Sequence, residues 1–302
     1  MTVRHLLEID DLSSDELHDV LDRAAVVEPA RVLAGRGAAL VFAKPSARTR
    51  NSTEMAVAQL GGHPISIQAD EVGIDTRETA EDVARTLACY HLLIGARVFD
   101  HSVLERMAAV SPVPIVNLLS DEAHPLQAIA DLLTIRSVFG QLAGRTVAYV
   151  GDANNVARSL AIAAGMVGMQ VRLGCPPGYD ADETMLDRIR ATGVDPLVTH
   201  RIEEAVEGVD VVYTDVWTSM GQEQESAERL KAFESFTVNE SVMARASDDA
   251  VFLHCLPAHR GEEVTADIVD GVTSRVWEQA TQRMHAARAA FWWLVEQAEQ
   301  GP

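Results

Sequence analysis

The chain has 302 residues, 47% hydrophobic and 23% charged, so it reads as folded globular protein of about two domains and not as a disordered chain. Its 25 basic against 45 acidic residues leave a net charge of −20. That balance argues against nucleic acid and anionic membrane as main partners, which demand a basic face, but allows a small anion held by a local arginine cluster.

The N-terminal stretch, residues 1–21, is acidic and amphipathic and has no apolar signal-peptide core. No apolar run along the chain reaches the length of a membrane span. Three cysteines, Cys89, Cys175 and Cys255, with no CxxC pair, fit a reducing, cytoplasmic setting without disulfides. Asp11, Ser13 and Ser14 precede a helical pattern over residues 15–28. Residues 38–43 form a short apolar run that predicts a buried strand, and a helix closed by glycines follows over 48–62. Strands are then expected over 65–69, 91–98 and 113–120, with helices over 79–90, 102–110 and 124–139. The series restarts with strands over 145–151, 169–176, 209–216 and 250–257, helices over 155–168 and 181–193, and a closing helix over 280–300.

Strand and helix alternate throughout, which implies parallel strands with crossover helices. The expected fold is α/β: two doubly wound domains, each with a central, mostly parallel sheet, joined by interdomain helices. The expected boundaries are residues 1–130 and 131–275, with 276–302 a closing helix that returns to the first domain.

Ligands of open α/β sheets bind beyond the carboxyl ends of the strands, so each strand exit is a candidate site. The first exit carries Lys44-Pro45-Ser46-Ala47-Arg48-Thr49-Arg50, with two arginines and two hydroxyls at the start of a helix, where free N–H groups and the helix dipole favour an anion. A capped helix with solvated arginines would look the same in isolation. The next exits add Arg97 and then His124-Pro125-Leu126-Gln127, in which Pro125 opens a helix. His124 reads either as a satisfied capping residue or as a hydrogen-bond donor to a carbonyl oxygen. In the second half the exits carry Gly151-Asp152-Ala153-Asn154-Asn155, then Asp215 with Ser219-Met220-Gly221, then His254-Cys255-Leu256-Pro257-Ala258-His259. The first of these lacks GxGxxG, so a nicotinamide site is not expected. Pro257 breaks any helix that would put His254 and His259 on one face, and no second ligand pair is evident, so no metal site is expected. Cys255 reads as a buried inert thiol or as a polar, site-facing one.

Together these motifs resemble one family. Ser46-Ala47-Arg48-Thr49-Arg50 is similar to the Ser-x-Arg-Thr-Arg phosphate loop of the aspartate/ornithine transcarbamylases, and His124-Pro125-Leu126-Gln127 to their His-Pro-x-Gln motif. The segments from Asp215 to Gly221 and from His254 to Pro257 resemble the ornithine branch. The resemblance spans essentially the whole chain. It implies transfer of a carbamoyl group from carbamoyl phosphate to L-ornithine by a cytoplasmic homotrimer or multiple of trimers, with no metal or organic cofactor. It further implies that Ser46, Ala47, Arg48, Thr49, Arg97 and Arg283 hold the phosphate. Arg97, His124 and Thr49 would face the carbonyl oxygen, and Gln127, Cys255 and Leu256 the carbamoyl NH2. Asn155, Asp215, Ser219 and Met220 would hold ornithine, with Asp215 and Cys255 near its δ-amine. Gly73 stands where many relatives carry a Gln or His that reaches a neighbouring subunit, and Asp75 or Arg77 is the candidate substitute.

Overall fold

The computed structural model describes residues 3–218 and 225–299, with backbone alone at 69 and 70. The chain divides into two compact units, Met1–Ala130 with Gln282–Pro302, and Asp131–Thr281.

The first unit holds α1 (Ser14–Ala24), β1 (Gly37–Phe42), α2 (Ala47–Gln59), β2 (His63–Gln68), α3 (Ala69–Val72), α4 (Ala80–Ala88), β3 (His91–Arg97), α5 (Ser102–Val110) and β4 (Ile115–Leu119). Its sheet runs β2-β1-β3-β4 with every ladder parallel. The central strand β1, Gly-Ala-Ala-Leu-Val-Phe, has no polar alternation because both of its faces are covered, as parallel strands require. Ala39, Val41, Ile94, Ala96, Leu104, Met107 and Ile115 form part of its core. Helix α6 (Pro125–Phe139) begins in this unit, and its later turns belong to the second.

The second unit continues with β5 (Thr146–Val150), α7 (Asn155–Met166), β6 (Gln170–Gly174), α8 (Glu183–Ala191), β7 (Leu197–Thr199), α9 (Ile202–Val206) and β8 (Val211–Thr214). It closes with α10 (Ser226–Phe233), α11 (Glu240–Met243), β9 (Val251–His254) and α12 (Ala266–Val269). The order is β7-β6-β5-β8-β9, again all parallel. Helix α13 (Val276–Glu299) starts here, and its part from Gln282 onward belongs to the first unit. There the buried Arg288 donates to the carbonyls of Ala24 (2.8 Å) and Val26 (2.7 Å) and to Gln59 Oε1 (2.9 Å). It thereby serves carbonyls that the end of α1 leaves without helical partners.

Two differences from the sequence expectation have simple causes. The edge strand β7 is three residues long and largely exposed, so it carries no apolar run to announce it. Strand β9 stops at His254, not at residue 257, because Leu256 turns into a left-handed conformation at φ +59°.

Helix α7, which presents Asn154 and Asn155, packs at Gly165 against the end of α8. A Cβ there would lie 2.1 Å from Thr192 Oγ1. Gly165→Ala is therefore expected to destabilise the protein by roughly 1–3 kcal/mol despite alanine's better helix propensity, and most of the loss should disappear in a Thr192→Ala background. Urea melts of the two single variants and the double variant check this.

Candidate active site

In the first unit, the end of β1 leads into Ser46, the N-cap of α2. Its extended backbone lets Oγ accept the Thr49 amide at 3.3 Å, and the same hydroxyl donates to Thr49 Oγ1 at 3.0 Å. The positive end of a 13-residue helix therefore starts at Ala47. Arg97, the last residue of β3, brings Nη1 to 3.3 Å from Thr49 Oγ1. Arg283 on α13 brings Nη2 to 3.0 Å from the same oxygen and donates through Nη1 to Gln127 on α6. Three distant segments thus meet at one buried threonine, and α6 joins them through Gln127, with both guanidinium groups largely withdrawn from water.

His124 stands beside this cluster and is also buried. Burial first, and then the charges of Arg283 and Arg97, push its pKa well below the ordinary histidine value. The ring is held neutral, so it can offer a hydrogen bond without adding a third positive charge. Arg48 is exposed on the first turn of α2 and takes no part in the hydrogen bonds around Thr49.

In the second unit, β5, β8 and β9 are parallel neighbours, so their carboxyl ends lie on one edge of the sheet. Asp215, just past β8, is 6% exposed. Cys255 Sγ donates to its Oδ1 at 2.9 Å, and Asn154 Nδ2 donates to its Oδ2 at 3.1 Å. Asn154 also caps α7, its Oδ1 accepting the amides of Val156 (2.9 Å) and Ala157 (3.1 Å). Tyr149 Oη donates to the same Oδ1 at 3.3 Å. Burial raises the Tyr149 pKa well above its usual value, so the phenol keeps its proton. Asn155 is half-buried, with Oδ1 accepting the Val156 amide at 3.0 Å. Asp152 is paired with the buried Arg229, whose Nε donates to the Trp217 carbonyl. Burial raises the Asp152 pKa, and Arg229 opposes that rise.

The turn after β9 is held from both ends. Gln279 Oε1 accepts the His254 amide at 2.9 Å, and its Nε2 donates to Asp131 at 2.6 Å and Tyr213 at 3.2 Å. His254 Nδ1 accepts the Leu256 amide at 2.8 Å, so the ring proton sits on Nε2, which donates to Glu263 Oε1 at 3.1 Å. The left-handed backbone of Leu256, a conformation that costs a non-glycine residue about 1–3 kcal/mol, is fastened by this imidazole.

The structure therefore joins Ser46, Thr49, Arg97, Gln127 and Arg283 by hydrogen bonds in one unit, with His124 in electrostatic reach, and Asp215 with Cys255 in the other. Ser219 and Met220 lie outside the described residues. Gly73 sits in a tight turn at φ +63°, where a Cβ would meet Arg77 Cβ at 2.9 Å. Asp75 is committed to Arg106, and Arg77 is exposed. Sequence reasoning missed Asn154 as the partner of Asp215, and missed Tyr149, Gln279 and Glu263 altogether. An Asn directly before a helical pattern is an N-cap signal and could have marked the first. Of the other cysteines, Cys175 is buried and its thiol is pushed up to about 12, so it is inert.

The histidine environment has a measurable consequence. Below about pH 6.5 the unfolded chain takes up a proton at residue 124 that the folded chain refuses, so stability falls with falling pH by up to about 1.4 kcal/mol per unit. His124→Gln removes that contribution, and urea melts between pH 5 and 7 should show a correspondingly flatter acid limb.

Comparison with known proteins adds independent findings. Residues 4–137 match the family model described as aspartate/ornithine carbamoyltransferase, carbamoyl-P binding domain. Residues 143–294 match that of the Asp/Orn binding domain. The chain is 45% identical to an ornithine carbamoyltransferase of Parafrankia, covering 100% of this chain and 99% of the relative. It is 43% identical to one named anabolic from Pyrococcus furiosus, covering 95% of each. The solved Pyrococcus furiosus ornithine carbamoyltransferase superposes with a TM-score of 0.92 at 43% identity, covering 96% of each chain.

Proposed function

The chain belongs to the aspartate/ornithine carbamoyltransferase family, and from that premise we propose that it transfers the carbamoyl group of carbamoyl phosphate to the δ-amine of L-ornithine. The products are L-citrulline and phosphate. The observation that carries the reading is the convergence of Arg97 and Arg283 on Thr49 at the start of α2. Planar, permanently charged forks beside a helix N-terminus are matched to phosphate oxygens.

Ser46, the Ala47 amide, Arg48, Thr49, Arg97 and Arg283 hold the phosphate. Arg97, His124 and Thr49 face the carbonyl oxygen, where negative charge grows as the amine attacks. Donors fixed in place for such a charge are worth on the order of 2.7–4 kcal/mol each. Gln127 and the carbonyls of Cys255 and Leu256 orient the carbamoyl NH2. On the ornithine side, Asn155, Asp215, Ser219 and Met220 bind the α-groups, and Asp215 with the Cys255 thiol lies near the attacking nitrogen. An acidic, thiol-donating site suits a cationic amine better than the second carboxylate of aspartate.

The δ-amine attacks only when neutral. A free alkyl ammonium titrates near 10.4, so about one molecule in a thousand is neutral near pH 7.4, and the site must select or generate that form. As the new C–N bond forms, the C–O bond to phosphate breaks, and the departing phosphate accepts the amine proton. Catalysis is then mainly positioning and electrostatics. No cofactor is required. Citrulline formation serves arginine biosynthesis, a direction supported by the anabolic relative. The protein is cytoplasmic and works as a homotrimer or multiple of trimers. Among the described residues no helix is long and apolar enough to cross a membrane.

The direct test is product formation from carbamoyl phosphate with L-ornithine, aspartate, putrescine and N-acetylornithine in parallel. Citrulline is expected from ornithine, with at least a tenfold preference over each alternative; a preference for another amine would overturn the substrate assignment. Arg48→Ala is expected to cut kcat/KM for carbamoyl phosphate by tenfold or more, the value of about one charged hydrogen bond. Because Arg48 is exposed, its melting curve should move little, by about 0.5 kcal/mol or less.

A further inference from the structure

The turn after β9 contains a second cluster of chemistry-bearing side chains that the transfer reaction does not use. His259, Glu262 and Glu263 place one imidazole nitrogen and two carboxyl oxygens within 4.8 Å of one another. His259 Nδ1 lies 3.7 Å from Glu262 Oε2 and 4.0 Å from Glu263 Oε2. The Glu263 side chain is fully buried, while those of His259 and Glu262 are 47% and 44% exposed. The cluster is therefore open to solvent at His259 and Glu262 and closed at Glu263.

Glu263 is the unusual member. Its Oε1 accepts from His254 Nε2 at 3.1 Å and from the His259 amide at 2.6 Å. Its Oε2 is buried, and among the described residues it accepts no hydrogen bond. A buried carboxyl oxygen left in that state carries an uncompensated desolvation cost. The oxygen is directed at the solvent-reachable His259 ring. His254 is not a competing ligand here, because its Nδ1 is engaged by the Leu256 amide and its Nε2 by Glu263 Oε1.

We propose that His259, Glu262 and Glu263 form a divalent cation site, of the zinc or cobalt class, behind the turn that carries Cys255 and Leu256. One imidazole and two carboxylates are an ordinary ligand set for such ions, with water completing the coordination on the exposed side. Bonds of roughly 2.0–2.2 Å place tetrahedral ligands about 3.3–3.6 Å apart. The observed spacings of 3.7 and 4.0 Å lie close to that range, and the two exposed side chains can rotate. The bound ion satisfies Glu263 Oε2, and Glu263 in turn holds His254, whose Nδ1 accepts the Leu256 amide. Occupancy thus ties the turn to its scaffold from a place that no substrate touches. The site does not depend on the identity of the reaction.

The test is calorimetric and spectroscopic titration of the purified full chain with Co2+ and with Zn2+. Stoichiometric binding is expected, and the Co2+ spectrum should lack a thiolate-to-metal charge-transfer band. His259→Ala and Glu262→Gln should each weaken binding by about tenfold or more while leaving citrulline formation intact, and Cys255→Ser should leave binding unchanged. Both substituted side chains are exposed, so the variants are expected to fold. Asp215, His254 and Cys255 form another group of possible ligands. Binding that survives in His259→Ala and Glu262→Gln, or that vanishes in Cys255→Ser with a thiolate band in the parent, would assign the ion to that group and overturn the proposal. Absence of any binding at millimolar Co2+ would also overturn it, leaving only a polar contact between His259 and its two glutamates.

Discussion

The first unit's site depends on one constraint: two guanidinium groups, from the end of β3 and from α13, are directed at the hydroxyl of a single buried threonine. Burying cations is expensive, and placing two side by side more so. The arrangement persists because the sheet and α13 hold the side chains in place and because Thr49 and Gln127 supply acceptors. An anion suits it because the helix terminus and the guanidinium forks present positive charge and N–H groups. The neutral state of His124 follows from the same field, since a protonated ring beside Arg97 and Arg283 would be repelled.

In the second unit the corresponding feature is a single buried carboxylate. Asp215 is oriented at both oxygens, by a thiol on one side and an amide on the other. The amide is fixed by the helix it caps and by Tyr149, which stacks on Tyr213 with ring centres 5.6 Å apart. Tyr213 in turn meets Gln279, which holds the amide of His254 at the end of β9. The order of strands β5, β8 and β9 thus fixes which side chains can meet.

Much of this was legible in the residues themselves. The apolar runs of β1 and β5 and the alternation with helices gave the two parallel sheets, and the loop 46–50, His124-Pro125-Leu126-Gln127 and His254-Cys255-Leu256-Pro257 marked three strand exits. What stayed hidden depends on side-chain direction or on long-range pairing. Asn154 and Asn155 are adjacent and chemically identical, and only the cap geometry of α7 shows which one turns to Asp215. Glu263 and Gln279 meet the end of β9 from 9 and 25 residues downstream. No local periodicity encodes such pairings. Gly73 fits a turn that needs a positive φ, a constraint that the residue alone does not disclose.

Phosphate binding by Arg283 and Arg97 is central to the proposed reaction. The most direct measurement is calorimetric titration with a phosphonate mimic of carbamoyl phosphate, in which a methylene replaces the ester oxygen. It compares the parent with Arg283→Gln, which keeps an amide donor but removes the charge and shortens the side chain. Loss of a charge-assisted contact predicts affinity weaker by roughly 10- to 150-fold, with the fold retained. Unchanged affinity in a variant of unchanged melting temperature would contradict the claim.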